Sequence, residues 1–457
     1  MPRPTSSRAL RTPAVPLAAA ALLAVCALPA ATPAAAAAPA PTAASPTRVA
    51  LTPVRIAVPT DLAWAPFDRP QTVSVPAGWT ASVWARPTKP RLEAWTPDGR
   101  LLVSRPADGV VTRLTPGPDG QAISTPLLSG LRKPHGLAFD GSSLYVAESN
   151  QVQRYAYAGG SVGGPTTVIT GLPDTESPDL KGAYAHALKS VAVGSDHTLY
   201  VSVGSTENAS ASDRTLDPER ASVLRVDPTD GAYTTYAHGV RNGTGLAVAP
   251  DGAVWTAVNN RDNLAYAYHR DYDGDGSDDY GKVMPAYVND HPIEPLAKLT
   301  PGRDLGWPYC NPDPDEVRGV KGSALRYANR AFVRDVQLNA GSKKLDCTKL
   351  PPVEQGLPAH SAPLGLAFTR TPLPGLGDGA LVGVHGSWNR TPPRAPEVAF
   401  FAYADGSLGG QRTIMSGFQS ASGNRWGRPV AAVQGPDGAL YVSDDLANAV
   451  YRLAPPA

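Results

Sequence analysis

The stretch Asp437-Gly438-Ala439-Leu440-Tyr441-Val442 joins a tight turn to an apolar strand, and five similar stretches occur earlier in the chain. Asp-Gly favours a tight hairpin turn because glycine accepts a positive φ, and β-branched and aromatic residues favour a strand. Strand-forming repeats spaced by tens of residues are typical of a solenoid or a propeller. We therefore predict an all-β fold, a six-bladed β-propeller. The five earlier turns begin at Asp98, Asp140, Asp196, Asp251 and Asp378.

The spacing of the six turns is regular except in one interval. Four of the intervals are 42 to 59 residues long, whereas the interval from Asp251 to Asp378 is 127 residues. A four-stranded blade needs about 40 to 50 residues. Residues 263–316 are rich in Asp, Pro and Gly and contain no matching turn. We therefore expect a long loop-rich insertion between blades 4 and 5, with a seventh blade as the alternative.

The N-terminal residues have the composition of an export signal. Three arginines precede an uncharged apolar stretch, Leu17 to Leu28, and small residues follow it. This order is typical of a secretory signal peptide, and the apolar stretch is shorter than the ~20 residues that span a bilayer. The expected protein is therefore secreted and has no membrane span. Its predicted parts are a signal peptide (1–38), an Ala/Pro-rich linker (39–60) and one propeller domain (61–457).

Three cysteines are present, and one of them lies in the predicted signal peptide. Cys26 would suit a lipoprotein signal, but Val25 stands where that signal needs a small residue. The other two, Cys310 and Cys347, would form one disulfide in an exported chain. Two free buried thiols are the alternative.

The charge of the chain is nearly balanced. Its 41 basic and 40 acidic residues give a formal net charge of +1. This balance provides no electrostatic footprint for nucleic acid or for an acidic membrane surface. We therefore expect neither as a partner.

Polar residues stand just before the strands that precede the turns. These strands contain small residues, as in Gly245-Leu-Ala-Val248, which suits the crowded axis of a propeller. If the strands are innermost, the polar side chains converge at one end of the central channel. Arginine suits carboxylates and phosphates, and neutral histidine is a natural general base. The sequence thus predicts a concave site for an anionic ligand or cofactor, although each residue alone would also serve as a strand cap. The residues are His135, His186, Arg241, Asn242, His360 and Arg428.

A separate acidic segment has the spacing of a calcium loop. Carboxylates stand at positions 1, 3, 5 and 9 of the loop, with Gly276 at the turn, and hard carboxylate oxygens suit Ca²⁺. Lys282 stands where an EF-hand has its bidentate acid, so the loop is not a complete EF-hand. We predict a structural calcium site, with a solvated acidic loop as the alternative. Its ligands would be Asp271, Asp273, Asp275 and Asp279.

At these residues the chain resembles the secreted glucose/sorbosone dehydrogenase family, whose members are soluble quinoproteins that use pyrroloquinoline quinone (PQQ). The resemblance covers roughly residues 75–455 and is nearer to the sorbosone dehydrogenase branch, mainly through His385 to Arg390. It implies a six-bladed propeller, in agreement with the repeats. The matching segments are His186-Ala-Leu-Lys-Ser190, Leu199 to Gly204, Gly239-Val-Arg-Asn242, Ala257 to Asp262, Gly306-Trp-Pro-Tyr309, His360-Ser-Ala-Pro363, His385 to Arg390 and Arg425-Trp-Gly-Arg428.

The resemblance also implies roles for individual residues. His186 matches the general base, and Glu207 is the candidate that would orient it. Arg241 is implied in both catalysis and cofactor binding. The other implied cofactor contacts are Asn242, Arg425 and Arg428, with His385 or Arg390 in place of a lysine of the glucose branch. The cofactor-bound Ca²⁺ would take side-chain or backbone oxygens from Asn260, Arg261 and Asp262.

The function that the resemblance implies is oxidation of an aldose or a related sugar aldehyde. His186 would take the hydroxyl proton while hydride passes to PQQ, and an external acceptor would remove the electrons. PQQ carries carboxylates that suit arginine, and Ca²⁺ is a Lewis acid. Two other classes stay open. A calcium-dependent sugar lactonase would need acidic and asparagine side chains around one metal, and a non-catalytic carbohydrate-binding propeller would keep its ligand affinity in His186→Ala.

Overall fold

The computed structural model of the chain describes residues 49–456. The predicted signal peptide and residues 39–48 of the predicted linker lie outside these residues. Nearly all regular structure is β, and α1, Pro285–Val288, is the one α-helix within the described range. No helix there is long and apolar enough to cross a bilayer. Short 3-10 turns occur at Thr60–Leu62, Ser212–Thr215, Ala340–Ser342 and Cys347–Lys349.

Residues 49–456 contain twenty-nine strands, and three of them precede the first blade: β1 (Leu51–Arg55), β2 (Thr72–Pro76) and β3 (Thr80–Ala85). Blade 1 contains β4 (Glu93–Trp95), β5 (Leu101–Arg105), β6 (Val110–Pro116) and β7 (Ala122–Leu128). Blade 2 contains β8 (Gly136–Asp140), β9 (Ser143–Ala147), β10 (Gln151–Ala158) and β11 (Ser161–Thr170). Blade 3 contains β12 (Val191–Val193), β13 (Leu199–Val203), β14 (Ser222–Val226) and β15 (Tyr233–His238), with β19 (Arg303–Asp304) added in parallel.

Three further blades complete the ring. Blade 4 contains β16 (Gly245–Val248), β17 (Val254–Ala257), β18 (Glu294–Leu299) and β22 (Gln355–Leu357). Blade 5 contains β23 (Pro363–Phe368), β24 (Gly379–Val384), β25 (Glu397–Ala404) and β26 (Ser407–Met415). Blade 6 contains β27 (Pro429–Gln434), β28 (Leu440–Asp444), β29 (Ala449–Ala454) and the N-terminal β3.

The first strands of the six blades form a closed ring. Each contacts the next in the order β4, β8, β12, β16, β23 and β27, and β27 contacts β4 again. Each repeated turn joins the first strand of its blade to the second, as the sequence predicts. The axis is crowded, since a Cβ on Gly365 would lie 2.6 Å from the Cβ of Ala431 in the neighbouring blade. The prediction of a six-bladed propeller is confirmed.

The core lies between adjacent blades, where their apolar faces pack together. Between blades 4 and 5, for example, Trp255 packs in one cluster with Val382 and Phe401, and all three are fully buried. The strands therefore have buried residues on both faces, which explains their nearly continuous apolar sequence. This packing holds the entrances of the first strands in a fixed arrangement.

The long insertion lies inside blade 4 and not between blades 4 and 5, which corrects the expectation. One excursion separates β17 from β18, and a longer one separates β18 from β22. The longer excursion contains a small hairpin of β20 (Cys310–Pro312) and β21 (Phe332–Arg334). The predicted disulfide is confirmed, since Cys310 and Cys347 are bonded with their Cα atoms 5.6 Å apart.

The N-terminal part of the described chain belongs to the folded unit. Strand β1 pairs antiparallel with β2, and a bridge joins Ala57 to Ser82 of β3. The predicted linker, 39–60, therefore extends too far, because Leu51–Arg55 is part of a sheet.

Candidate active site

Six of the predicted residues line one cleft at the entrance to the innermost strands. The cleft has a cavity volume of about 220 Å³ and opens to solvent. The six are His186, Arg241, Asp262, His360, His385 and Arg428. The other residues that line it are Asn259, Ala362, Leu364, Gly386, Ser387 and Trp388.

The hydrogen bonds of His186 fix its tautomer. Its Nδ1 lies 2.8 Å from Ser205 Oγ and 3.1 Å from the Ser205 carbonyl oxygen. Ser205 Oγ donates its own proton to the Glu207 carbonyl at 2.7 Å, so it accepts from Nδ1–H. The lone pair of His186 is therefore on Nε2, and this is the arrangement of a general base.

The residue that orients His186 is Ser205, which corrects the assignment to Glu207. The side chain of Glu207 is exposed, and only its backbone carbonyl enters the network. The chain approaches itself closely here. A Cβ on Gly204 would lie 2.5 Å from the Cβ of His186, so only glycine fits beside the base.

His186 is neutral at pH 7. Burial lowers its pKa to about 3, and the positive charge of Arg241 acts in the same direction. The imidazole is therefore unprotonated and able to accept a proton over a wide pH range.

Arg241 is 4% exposed and is held by backbone and side-chain oxygens. Its Nε and Nη2 donate to the carbonyl and side-chain oxygens of Asn208 at 3.1 and 3.0 Å, and its Nη1 donates to the Asn259 carbonyl at 3.0 Å. The Asp262 carboxylate lies 3.7 Å from Nη2. Asn208 has no motif of its own, so its contact with Arg241 could not be predicted from the sequence. Asn242 does not line the cleft, and its carbonyl accepts from Asn259 N at 3.0 Å.

His360 and Asp262 form the second charged pair of the cleft. His360 Nδ1 lies 3.2 Å from Asp262 Oδ1, and its Nε2 lies 2.7 Å from the Val288 carbonyl. Both partners only accept, so both ring nitrogens carry protons. Burial alone would lower the pKa of His360, but Asp262 and the Val288 carbonyl raise it above its ordinary value. Asp262 therefore stands between two cations.

Only one of the three residues assigned to the cofactor calcium faces the cleft, and it is Asp262. Asn260 is buried and donates from its side chain to the Ile293 carbonyl at 3.0 Å. Arg261 pairs with Asp335 and Gln337 of the insertion. Asp262 and Asn259 line the cleft and have side-chain oxygens of the kind that bind a hard cation.

His385 and Arg428 form the opposite wall. His385 Nε2 lies 2.8 Å from Asp445 Oδ1, and burial lowers the pKa of His385 to about 4 against the effect of Asp445. Arg428 donates from Nε to the His385 carbonyl at 2.8 Å and from Nη2 to the Gly386 carbonyl at 3.2 Å. Within residues 49–456, Arg428 Nη1 has no hydrogen-bond partner, so its protons are available to a ligand.

Two other predicted cofactor contacts do not line the cleft. Arg390 donates to the Asn289 carbonyl at 2.8 Å, and Arg425 donates to Gln419 at 2.7 Å and to the Arg394 carbonyl at 3.1 Å. Both arginines hold the loop that carries Trp388. This tryptophan is 75% exposed on the rim of the cleft, and the sequence analysis quoted it without giving it a role.

Two predicted groups lie away from the cleft. His135 is fully buried, with Nδ1 3.2 Å from the Lys189 carbonyl. In the acidic loop, one carboxylate oxygen from each of Asp271, Asp273 and Asp275 lies within 4.8 Å of the others. Asp279 turns away from this cluster and pairs with Lys282 at 2.7 Å.

Comparison with known proteins identifies the family. The model of the TrAA12-like family matches residues 73–455. The chain therefore belongs to the TrAA12-like family, and the expected family resemblance is confirmed. Its placement in the sorbosone branch stays a prediction.

Solved structures share the fold at low sequence identity. The PQQ domain of pyranose dehydrogenase from Coprinopsis cinerea, in its holo form, is 21% identical, with 83% of this chain and 96% of that chain covered and a TM-score of 0.67. The calcium structure of a family AA12 carbohydrate-active enzyme from Trichoderma reesei is also 21% identical, with the same coverage and a TM-score of 0.65. The apo form of the soluble aldose sugar dehydrogenase from Escherichia coli is 14% identical over 82% of this chain and 99% of that chain, with a TM-score of 0.55. These likenesses show the propeller fold.

One curated protein matches over a shorter stretch. An uncharacterized protein of Borreliella burgdorferi is 29% identical over 150 residues, which are 31% of this chain. The match covers 39% of that protein, so the chain spans about two fifths of its length.

Proposed function

We propose that this protein is a sugar dehydrogenase that uses PQQ and Ca²⁺. One observation carries the proposal: His186 presents an unprotonated Nε2 to a cleft that also contains Arg241 and Arg428. A proton acceptor beside cationic groups suits the removal of a hydroxyl proton next to an anionic cofactor. The substrate is an aldose or a related sugar aldehyde, and the resemblance of the sequence supports this class.

The residues of the cleft fit the proposed cofactor. Arg428 Nη1 has free protons, and Arg241 uses only three of its five N–H groups on Asn208 and Asn259. Both are therefore able to bind carboxylates of PQQ. Asp262 and Asn259 supply hard oxygens that would hold Ca²⁺. Among the similar structures, that of Coprinopsis cinerea is a PQQ domain and that of Trichoderma reesei is a calcium structure.

The mechanism assigns one proton transfer to this chain. Bound PQQ supplies a two-electron acceptor, and bound Ca²⁺ supplies a Lewis acid. His186 Nε2 takes the proton of the sugar hydroxyl while the hydrogen on the same carbon leaves as hydride. Ser205 holds the ring so that the new N–H of the imidazolium points at the substrate oxygen. Trp388 on the rim provides an aromatic face against which a sugar ring packs.

The charges of the cleft disfavour a lactonase. Asp262 is the one carboxylate among the residues that line it, whereas three histidines and two arginines are present. A single calcium held by acidic and asparagine side chains would need the opposite composition.

Two expectations about setting are part of the proposal. We propose that the protein acts outside the cytoplasm, supported by the leader-like N-terminus and by the Cys310–Cys347 disulfide. We also propose that an external acceptor removes the electrons. The acidic loop at Asp271, Asp273 and Asp275 stays a proposed structural calcium site, without Asp279.

Dye reduction by the purified protein tests the proposal. Turnover of aldoses should require both PQQ and Ca²⁺, and His186→Ala should lose about 10²- to 10⁴-fold in kcat. His197→Ala is the matched control, because His197 is exposed and pairs only with Asp140. Binding of PQQ without turnover on any sugar would favour the carbohydrate-binding alternative. Absence of PQQ binding would reject the proposal.

A further inference from the structure

A buried cluster in the insertion contains one histidine and two aspartates. His291 follows α1, and Asp313 and Asp315 follow β20. All three are nearly inaccessible, with exposures of 1%, 1% and 3%. One nitrogen or oxygen from each lies within 4.8 Å of the others. The cluster is separate from the cleft, and the proposed function makes no use of it.

His291 directs its Nε2 atom at the two carboxylates. Nδ1 lies 2.8 Å from the Tyr287 carbonyl, which only accepts, so Nδ1 carries a proton. Nε2 faces Asp315 Oδ2 at 3.3 Å and Asp313 Oδ1 at 3.6 Å, and it has no hydrogen-bond partner of good geometry among the described residues. Two buried carboxylates need a cation beside them, and that cation is either a metal ion bound to Nε2 or a proton on it, since, against the effect of burial, the two aspartates raise the pKa of His291 to about 9.

The separations are those of ligands that share a metal ion. In a tetrahedral site with bonds of about 2.0 to 2.1 Å, neighbouring ligand atoms are about 3.4 Å apart. The distances of 3.3 and 3.6 Å from His291 Nε2 to the two carboxylate oxygens are close to this spacing.

The surroundings of the three side chains also have the character of a metal site. Ligand histidines commonly donate their other N–H to a backbone carbonyl, as His291 does to Tyr287. The ligand carboxylates are held as well: Tyr268 Oη donates to Asp313 Oδ2 at 2.6 Å, and Gly319 N donates to Asp315 Oδ2 at 3.1 Å. These contacts hold the ligand atoms in place before any ion binds.

We propose that His291, Asp313 and Asp315 bind a divalent transition-metal ion such as Zn²⁺ or Mn²⁺. One imidazole nitrogen and two carboxylate oxygens suit these ions better than Ca²⁺, which prefers an all-oxygen set. The role of the ion is structural, because the same segment supports the cleft. Val288 accepts from His360, and the Ile293 carbonyl accepts from Asn260. The ion would fasten this segment to the residues that follow β20.

Metal analysis of the purified protein tests the proposal. The protein is stripped with a chelator, incubated with Zn²⁺ or Mn²⁺, passed through a desalting column and analysed by mass spectrometry for bound metal. The wild type should retain about one ion per chain, and His291→Asn should lose it. His238→Asn is the control, because His238 pairs with a single carboxylate, Glu219, and should retain the ion. A second variant, Asp273→Asn, should lose any metal ion bound at the acidic loop but keep the ion bound at His291.

A second measurement covers the case in which His291→Asn does not fold. Co²⁺ added to the stripped wild type should give visible absorption bands of a low-symmetry nitrogen and oxygen site. The thermal unfolding temperature should also rise on adding Zn²⁺ and fall again with chelator. A wild type that retains no ion and shows no Co²⁺ bands, or a folded His291→Asn that retains the ion, overturns the proposal. In that case His291 is an imidazolium paired with the two aspartates.

Discussion

The Nδ1 atom of His186 lies 2.8 Å from the hydroxyl oxygen of Ser205, and that hydroxyl donates in turn to the Glu207 carbonyl. Two hydrogen bonds thus set the tautomer of the proposed base without any charged partner. Ser205 is a positioning residue, since it acts on the substrate only through His186. The serine side chain therefore contacts the base directly, whereas Glu207 contributes only its backbone carbonyl oxygen.

We expect Ser205→Ala to lower kcat roughly 10-fold or more with a smaller change in KM, because a mispositioned base loses part of its ~10²- to 10⁴-fold effect. Glu207→Gln keeps the carbonyl that accepts from Ser205 and should stay within about 2-fold of wild type. Steady-state kinetics of dye reduction measure both. If kcat fell more in Glu207→Gln than in Ser205→Ala, the glutamate side chain and not Ser205 would orient the base.

The pH profile should depend on the charge of Arg241. His186 accepts a proton only when neutral, so kcat/KM should be level above its pKa and fall about tenfold per pH unit below it. Burial, and then Arg241, lower that pKa to about 3. Arg241→Gln removes the second cause, so the acidic fall should move to higher pH. Arg241→Lys keeps the charge and should leave the fall at lower pH.

These profiles are compared at saturating PQQ, since Arg241 also belongs to the proposed cofactor site. An acidic fall at the same pH in the Gln and Lys variants would show that the charge of Arg241 does not control the base.

The two arginines of the Arg425-Trp-Gly-Arg428 motif should differ in their effect on cofactor affinity. Arg428 lines the cleft and has free N–H groups, whereas the donors of Arg425 contact Gln419 and backbone carbonyls. A lost charge-assisted hydrogen bond costs about 1.5 to 3 kcal/mol, so Arg428→Gln should raise the Kd for PQQ about 10-fold or more. Arg425→Gln should change it about 3-fold or less. Fluorescence titration with PQQ measures both, and equal effects would contradict the assignment.

His135 should make the fold sensitive to acid. Burial, and then Arg91, lower its pKa to about 3, well below the ~6.5 of an unfolded chain. The unfolded state therefore binds more protons between these values, and stability falls as the pH drops from about 6.5 towards 3. At pH 4 the loss is about 3 kcal/mol.

His135→Gln removes this titration. The unfolding temperature should then depend less on pH between about 6.5 and 4, a range that lies between the unfolded and folded pKa values of His135. The exposed His197 provides the control, since His197→Gln should keep the wild-type slope. Calorimetry at several pH values makes the comparison, and equal slopes in all three proteins would reject the assignment.

The sequence contained enough information for the blade count and for part of the site. Turns such as Asp437-Gly438 form for a local reason, because glycine accepts a positive φ there. Each turn directly follows the innermost strand of its blade, so the turns show where those strands are in the sequence. Once those strands are placed around one axis, the residues at their entrances must converge. This is why His186, Arg241 and Arg428 were found from their positions alone.

The directions of individual side chains were not available from the sequence. Asn260, Arg261 and Asp262 are adjacent, yet only Asp262 faces the cleft, because Asp335 of the distant insertion takes Arg261. Ser205 and Glu207 are similarly close in sequence, and the turn of the backbone decides which contacts the base. The place of the insertion inside blade 4 depends on β22, whose pairing with β18 is non-local.

Blade 6 takes its outermost strand from residues 80–85 and its other three from residues 429–454. The two ends of the propeller are thus hydrogen-bonded to each other across nearly the whole chain. During synthesis, β3 cannot pair with β29 until residues 449–454 have been made. The ring therefore closes only after residue 454, and this closure spans the longest stretch of sequence, with the largest loop entropy cost, of any strand pairing among the described residues. A fragment that lacks the final strand would have an open ring and an exposed edge ready to pair with another copy.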